Sequence, residues 1–121
     1  MKVQDLLTKK NRPVHTIAGN RSVDQAIVLM ADQKASAVIV IENGQPAGIF
    51  AERDVFRHYL RNKSTALSDT VLRNAMTDRL ITAGPADEVS RALAIMVKAD
   101  IKHLPVIEEK QIISQIGRAH V

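Results

Sequence analysis

The chain repeats part of its own sequence at a constant offset of 66 residues, with no gap between matching positions. This offset separates Thr16 from Thr82, and it relates three further apolar pairs: Val23 and Val89, Ala26 and Ala92, Met30 and Met96. The run VIE at 40–42, followed by Gln45, recurs in the same way at 106–108 and Gln111. A repeat in so short a chain predicts two copies of one supersecondary unit packed together.

Composition restricts the class of protein. With 121 residues and 45% hydrophobic content, the chain is long and apolar enough for a small core. It has no cysteine, which excludes disulfides and thiolate metal sites, and its four histidines lack metal-ligand spacing. No apolar run reaches membrane-spanning length and the N-terminus lacks a signal-peptide pattern, so we expect a cytoplasmic protein without a metal site.

The charge balance is basic, with a net charge of +4 and a pI of about 9.7. The cations are scattered among 13 acidic residues, and the densest cluster, Lys9, Lys10 and Arg12, falls in a predicted loop. One tyrosine and two phenylalanines provide few platforms for base stacking. Nonspecific nucleic-acid binding is therefore a weaker alternative, which the salt dependence of binding would identify.

Hydrophobic periodicity predicts the elements of the first copy. Ser22 and Gln25 form a capping-box pattern ahead of a helix with one apolar face, and Asn43-Gly44 is a strong hairpin signal. The elements predicted in chain order are a helix over 3–7, a strand over 13–17, a helix from 22, a buried strand over 37–41, a return strand over 48–50 and a helix over 52–60.

The second copy follows a polar linker over 61–69 and a short connecting helix that contains Val71, Leu72 and Met76. Asp87 is the predicted N-cap of the next helix. The elements predicted there are a strand over 80–82, a helix whose apolar face is Val89, Ala92, Leu93, Met96 and Val97, and a strand over 103–108. Sequence similarity between the copies ends after Gln111, so the second copy is expected to lack its return strand and final helix.

The order strand–helix–strand–strand–helix, present twice, resembles the tandem CBS-domain pair, or Bateman module. The segments that carry the resemblance are SVDQAIVLM, SAVIVIENGQPAGIF and AERDVFRHYL in the first copy, and DEVSRALAIM and IKHLPVIE in the second. The resemblance implies an α/β (α+β) fold of two β-α-β-β-α repeats packed as a CBS pair, the second incomplete. The expected divisions are a first repeat over 1–62, a linker and connecting helix over 63–76, and a truncated second repeat over 77–115.

The resemblance also implies a function. Members of this family bind adenine nucleotides, of AMP, ADP or ATP type, in the cleft between the two repeats and regulate an attached or partner protein. They commonly form homodimers, and catalysis belongs to other domains fused to the pair. We therefore expect a regulatory ligand, no required cofactor, an unknown regulated partner, no membrane association and no enzyme activity. A structural or dimerisation module without a ligand is the main alternative.

One motif of the first copy carries the ligand chemistry. By resemblance, the run from Gly48 to Asp54 matches the family pattern whose final aspartate accepts both ribose hydroxyls. A carboxylate offers two acceptors to the two donors of a cis-diol, and Arg53 in the first helical turn can add a charge for phosphate. Asp54 could instead only cap its helix. Ala51 departs from the pattern, which has Ser or Thr there, and this favours weaker ligand binding or none.

The resemblance extends the candidate site to residues of the first strands and buried strands. There, main-chain groups would read the adenine edge and apolar side chains would hold its face. Ordinary core packing is the alternative for each apolar residue. The candidates are His15, Thr16, Ile17, Val38 and Ile39 in the first copy, and Ile81, Thr82, Ala83, His103, Leu104 and Pro105 in the second.

The last six residues, IGRAHV at 116–121, do not fit the repeat. They can be encoded by ATC GGA AGA GCA CAC GTC, which is the string of a common short-read sequencing adapter and continues into the stop codon TGA. We therefore expect a non-native, adapter-derived tail over 116–121 on a truncated gene fragment. A divergent natural tail is the alternative, and the genomic reading frame decides between them.

Overall fold

The structure is a computed structural model that describes residues 1–9 and 13–117. Packing divides the chain into two compact units. We call His15–Leu80 the first unit, and Met1–Val14 with Ile81–Val121 the second unit. The regular elements are α1 (Val3–Lys9), β1 (Thr16–Ala18), α2 (Val23–Asp32), β2 (Ala37–Glu42), β3 (Gln45–Ala51), α3 (Glu52–Arg61), α4 (Val89–Ala99), β4 (His103–Glu108) and β5 (Gln111–Gly117).

The first unit contains a three-stranded sheet in the order β1-β2-β3, with β1 parallel and β3 antiparallel to β2. Its helix α2 begins with the predicted capping box. The Ser22 hydroxyl accepts from the Gln25 N–H, and the Gln25 side chain accepts from the Ser22 N–H, each at 3.0 Å. Two amides that α2 itself cannot satisfy are thereby bonded, which fixes where the helix starts.

The core of the first unit lies between α2 and one face of the sheet. The predicted apolar face of α2 is confirmed, because Val23 and Ala26 are fully buried and Met30 nearly so. The rest of this core comes from the sheet and from the segment after α3: Val38, Val40, Phe50, Leu72 and Ala75. The predicted connecting helix is reduced to a 3-10 turn, Leu72–Asn74, and Arg73 in that turn forms an ion pair with Glu42 at 2.9 Å. The hydrogen bond to Glu42 raises the pKa of Arg73.

The second unit contains α1, α4 and the antiparallel pair β4-β5. α1 extends the helix predicted over 3–7 and packs Val3 into this unit's core, so packing groups the N-terminal segment with the second repeat. The Val3 N–H donates to the Asp87 carbonyl oxygen at 2.8 Å. The buried residues of this core are Val3, Ala83, Ala92, Met96, Leu104, Val106 and Ile116.

The sequence repeat is reproduced in the backbone. A register shift lies between Val40 and Ile41 in the first hairpin, and a matching shift lies 66 residues later between Val106 and Ile107. The hairpin predicted at Asn43-Gly44 is confirmed, with φ angles of 52° and 75°, and the turn at 109–110 has φ angles of 51° and 66°. The two copies therefore share backbone features that sequence identity alone does not require.

The return strand expected to be missing from the second copy is present. β5 pairs with β4 over its full length, from Glu108 and Gln111 at the turn to His103 and Gly117. The prediction was wrong because it required matching side chains, whereas turn geometry and alternation of buried residues set the register of a hairpin. Ser114 and Ile116, both buried, supply that alternation.

Two other predictions for the second copy need correction. The strand over 80–82 is reduced to a single bridge between Ala83 and Val106. In the first unit, the Ile39 N–H donates to His15. Pro105, the counterpart of Ile39, has no N–H to donate, so the parallel pairing cannot extend back to Ile81. Asp87 is also not the N-cap of α4; its carboxylate accepts from the Gly84 N–H at 2.8 Å within a turn.

Val97, which was assigned to a buried helix face, is exposed, and so are two aromatic residues of α3. Val97 is 81% exposed and does not belong to the buried face of α4. In α3, Val55 packs against the core of the first unit, whereas Phe56 and Tyr59 are 66% and 59% exposed. Leu60 is exposed beside them, so α3 presents an apolar outer face of Phe56, Tyr59 and Leu60.

The predicted tail falls at the edge of the described chain. Ile116 and Gly117 belong to β5, while residues 118–121, like residues 10–12, lie outside the described residues. The origin of the tail stays a prediction. No helix within residues 1–9 and 13–117 is long and apolar enough to cross a lipid bilayer.

Candidate functional site

Asp54 is the third residue of α3, which begins directly after β3. Its Oδ2 accepts from the Ala51 N–H at 2.8 Å, so the carboxylate satisfies one amide at the start of the helix. Ala51 has no hydroxyl to return the bond, and only half of a capping box forms. The capping role considered as an alternative for Asp54 is therefore present in the structure.

The Asp54 carboxylate has two further partners. Its Oδ1 accepts from the Thr77 hydroxyl at 2.6 Å and from the Arg57 guanidinium, one helical turn further along α3. Arg57 also donates to the Thr77 hydroxyl oxygen at 3.2 Å, which closes a three-residue network. We call Asp54, Arg57 and Thr77 the Asp54 network. Asp54 is only 3% exposed, so this network shields the carboxylate from water.

Thr77 is held against β3 by its own backbone. Its N–H donates to the Ile49 carbonyl oxygen, and its carbonyl oxygen accepts from the Ile49 N–H, both at 2.9 Å. Gly48 permits this approach, because a Cβ at that position would lie 2.7 Å from the Thr77 carbonyl oxygen. The segment that follows the first repeat is thereby fixed beside the start of α3.

The strand register aligns Thr77 with predicted site residues. Thr16 pairs with Ile39, Ile39 with Ile49, and Ile49 with Thr77, so these four residues form one row across the sheet. Directly paired residues project from the same face of a sheet. That face is opposite the core, since Val38 and its neighbours on the core face alternate with Ile39.

The predicted residues of the first copy divide between these two faces. Val38 lies in the core and Ile17 packs against it, so both side chains are used for packing within the first unit. Thr16 is exposed and Ile39 is buried, and both lie on the face opposite the core. His15 contributes its carbonyl oxygen, which accepts from the Ile39 N–H at 2.9 Å.

The predicted residues of the second copy divide in the same way. Ala83 and Leu104 lie in the core of the second unit, and Ile81 packs against it. His103 and Pro105 lie on the other face of β4, where they pair with Gly117 and Gln115 of β5. Three candidates of the second copy are not part of this core: Thr82, His103 and Pro105.

The outer edges of the two repeats expose main-chain groups. In β1, the hydrogen bonds to β2 involve His15, Ile17 and Gly19, which turns the N–H and C=O of Thr16 away from β2. Thr82, the counterpart of Thr16, precedes the bridging residue Ala83 and is likewise turned outward. Neither threonine's main chain has a hydrogen-bond partner among residues 1–9 and 13–117.

Two other features of the first unit bear on ligand binding. Arg53 has an exposed side chain in the first turn of α3, where the helix dipole also favours anions. A groove of about 550 Å³ runs along β1 and α2, with Ile17, Val28 and Leu29 among its apolar lining. Across the described ranges, no three His, Asp or Glu side chains are placed to hold a metal ion.

Sequence reasoning missed two members of the Asp54 network. Arg57 follows Asp54 by three residues on the same helix, a spacing that predicts contact between oppositely charged side chains. That signal was available. Thr77 is 23 residues from Asp54 in a polar segment, and only the pairing of Ile49 with Thr77 brings it close.

Sequence comparison finds two matches to the CBS domain, at residues 3–61 and 71–120. The CBS domain-containing protein CBSX3 of Arabidopsis thaliana, a mitochondrial protein, is 31% identical over 103 residues. The match covers 79% of this chain and 48% of that protein, so the chain spans about half the length of this relative.

Comparison of structures gives the same result. The CBS-domain structure of NE2398 superposes with a TM-score of 0.91 at 26% identity, over 99% of this chain and 93% of that one. The CBS domain pair of protein MJ0100, solved in complex with 5′-methylthioadenosine and S-adenosyl-L-methionine, superposes with a TM-score of 0.85 at 20% identity. That match covers 99% of this chain and 91% of that one, and it shows that the fold is shared.

Proposed function

Because the chain belongs to the CBS-domain family and carries two copies of the domain, we propose that it binds an adenine nucleotide as a regulatory ligand. A CBS pair is a regulatory module, and the finer assignment here is an AMP, ADP or ATP type of ligand. The proposal is one of binding and regulation, without a reaction catalysed by this chain. The observation that carries it is the position of the Asp54 carboxylate, which ends the Gly48-to-Asp54 motif and lies in the first turn of α3.

Asp54 is the proposed acceptor of the ribose hydroxyls. An ionised carboxylate accepts hydrogen bonds that contribute roughly 1.5–3 kcal/mol each, about twice the strength of neutral ones. The Ala51 N–H fixes the position of Oδ2, and Arg57 fixes Oδ1, so the acceptor is oriented before a ligand arrives. Such preorganisation lowers the entropy lost on binding.

A nucleotide phosphate would be attracted to the start of α3. The first turn of a helix leaves amide groups without partners and carries a partial positive charge. Arg53 adds a guanidinium group in the first turn, which also carries Glu52 and Asp54, while Arg57 is paired with Asp54. The proposed attraction for phosphate is therefore assigned to Arg53 and the helix terminus.

The outward main chain of Thr16 and Thr82 supports recognition of a base. A free N–H beside a free C=O offers the donor and acceptor pair that the edge of adenine requires. Ile39 in the first unit and Pro105 in the second are apolar residues on the same strand faces as these threonines. The side chains of Ile17, Val38, Ala83 and Leu104 are committed to their own cores and are not part of the proposal.

The complex of the structurally similar pair from MJ0100 supports the ligand class. Both molecules named in that complex contain an adenosine group. The fold of this chain is thus one in which adenosine derivatives are bound elsewhere in the family. Cytoplasmic location, a homodimer and a separate regulated partner complete the proposal.

Isothermal titration calorimetry tests the proposal with AMP, ADP and ATP on the full chain. At least one should bind with a dissociation constant below millimolar, and Asp54→Asn should weaken that binding about tenfold or more, since one charged acceptor is lost. Asp24→Asn is the matched control, because Asp24 is an exposed acid in the first turn of α2. Absence of submillimolar binding for all three nucleotides would refute the proposed function.

A ligand-free dimerisation module is the second candidate function. Two observations favour it: the exposed apolar face of α3, and the engagement of both Asp54 oxygens by groups of the chain itself. In that case, sedimentation equilibrium would show self-association that does not change with nucleotide. Association that strengthens or weakens with AMP would instead support the ligand-binding proposal.

A further inference from the structure

The Asp54 carboxylate has too few free positions for a ribose diol. Its two oxygens offer about four acceptor positions in total. Three are taken among the described residues, two on Oδ1 by Arg57 and Thr77 and one on Oδ2 by the Ala51 N–H. A cis-diol needs two acceptor positions. One hydroxyl can therefore bind beside Ala51, but the second must replace an existing partner.

Thr77 is the partner that can leave. The Ala51 N–H is fixed in the backbone at the start of α3, and removing it would leave a helix amide unsatisfied. Arg57 is ionically paired with the carboxylate, and separating them would leave a shielded negative charge. The Thr77 hydroxyl is neutral, and its loss leaves the Arg57–Asp54 pair intact.

Displacement of Thr77 affects the chain beyond the site. Among residues 1–9 and 13–117, Thr77 is joined to the sheet by an isolated bridge to Ile49 in β3. It lies three residues before Leu80, the last residue of the first unit. The hydroxyl bond to Asp54 therefore ties the segment leading into the second unit to the ligand-binding carboxylate.

On the premise of the proposed function, we infer that Thr77 is a positioning residue that competes with the ligand for Asp54. Its hydroxyl occupies the Oδ1 position that the second ribose hydroxyl requires, and ribose binding releases it. The release loosens the Thr77 bridge to Ile49 and so transmits occupancy to the segment at 77–80. Thr77 thus lowers the affinity for the nucleotide, and its release couples nucleotide binding to a change at residues 77–80.

The test compares AMP with 2′-deoxy-AMP by calorimetry. In the unaltered chain the two should bind with nearly equal affinity, because the second hydroxyl gains one bond and displaces another. In Thr77→Val the competitor is absent, so AMP should bind about three- to tenfold tighter, with little change for the deoxynucleotide. Thr77→Ser keeps the hydroxyl and should behave as the unaltered chain. Thr65→Val, in the exposed part of the linker, is the matched control.

A second measurement needs no variant. Hydrogen exchange of the Ile49 and Thr77 amides should accelerate when AMP saturates the chain, because the bridge loses its side-chain anchor. Slower exchange at both amides would overturn the inference. So would an AMP affinity that Thr77→Val leaves unchanged or weakens while Asp54→Asn still reduces it, and that result would leave the proposed function standing. Absence of AMP binding in every variant would refute both.

Discussion

At the scale of single residues, the three longer helices differ in how their first amides are satisfied. α2 has a complete capping box from Ser22 and Gln25, and α3 has the Asp54 half alone. α4 begins after Glu88 without a side-chain cap. The carboxylate that caps α3 is thus also the proposed ligand acceptor.

Ala51→Ser should complete the capping box of α3. The backbone at Ala51 is extended, with φ −122° and ψ 173°, as an N-cap residue requires. We expect a gain of about 1 kcal/mol in the free energy of unfolding, measured by urea denaturation. Ala94→Ser, at an exposed site within α4, is the control and should be neutral or slightly destabilising. A loss of stability in Ala51→Ser equal to that of the control would contradict the capping argument.

Local sequence chemistry predicted the cap of α2 correctly but not that of α4. Ser22 and Gln25 were predicted correctly because both partners of a capping box lie within three residues of each other. Asp87 was assigned to the same role, but its carboxylate bonds Gly84 within a turn. One isolated acid before a helix has several local amides within reach, and sequence alone does not select among them.

At the scale of elements, the repeat predicted more than side-chain identity suggested. β5 keeps the register and the irregularity of β3, although Gln111 is its only residue identical to the matching position in β3. Conversely, one residue type removed an element, since Pro105 cannot donate the bond that would extend the strand near Ile81. Backbone bonding, more than side-chain similarity, decides which strands of the repeat form.

The outer face of α3 shows that sequence patterning alone does not establish burial. Phe56, Tyr59 and Leu60 have the spacing of a buried helix face, yet all three are more than half exposed. Periodicity indicates that a face is apolar but not whether the same chain covers it. The exposure of this face gives the dimerisation proposal its structural basis.

Leu60→Glu should weaken self-association of the chain if the outer face of α3 lies in the dimer interface, because a charge would be buried there. Sedimentation equilibrium should show a dissociation constant raised about tenfold or more, while the fold is retained, since Leu60 is 67% exposed. Val97→Glu, at a site 81% exposed on α4, is the matched control. An equal effect of both variants would exclude α3 as the specific interface.

At the scale of the whole molecule, the two copies contribute unequally to the proposed ligand site. Asp54 and its partners all belong to the first unit, and the counterpart of Asp54 at position 120 lies outside the described residues. The two repeats of the fold, and the place of Asp54 at the start of a helix, were predictable from local sequence patterns. The engagement of Asp54 by Thr77 was not, because it depends on a pairing between residues far apart in the chain.

Chemical-shift mapping by nuclear magnetic resonance tests whether AMP binds at Asp54. Titration of the labelled chain with AMP should shift the amide signals of Ala51, Asp54 and Thr77 together, with saturation at submillimolar nucleotide. The same titration of Asp54→Asn should leave those signals in place over that range. Shifts confined to the groove along β1 and α2, or no shifts at all, would contradict the assignment of Asp54 as the ligand-binding acid.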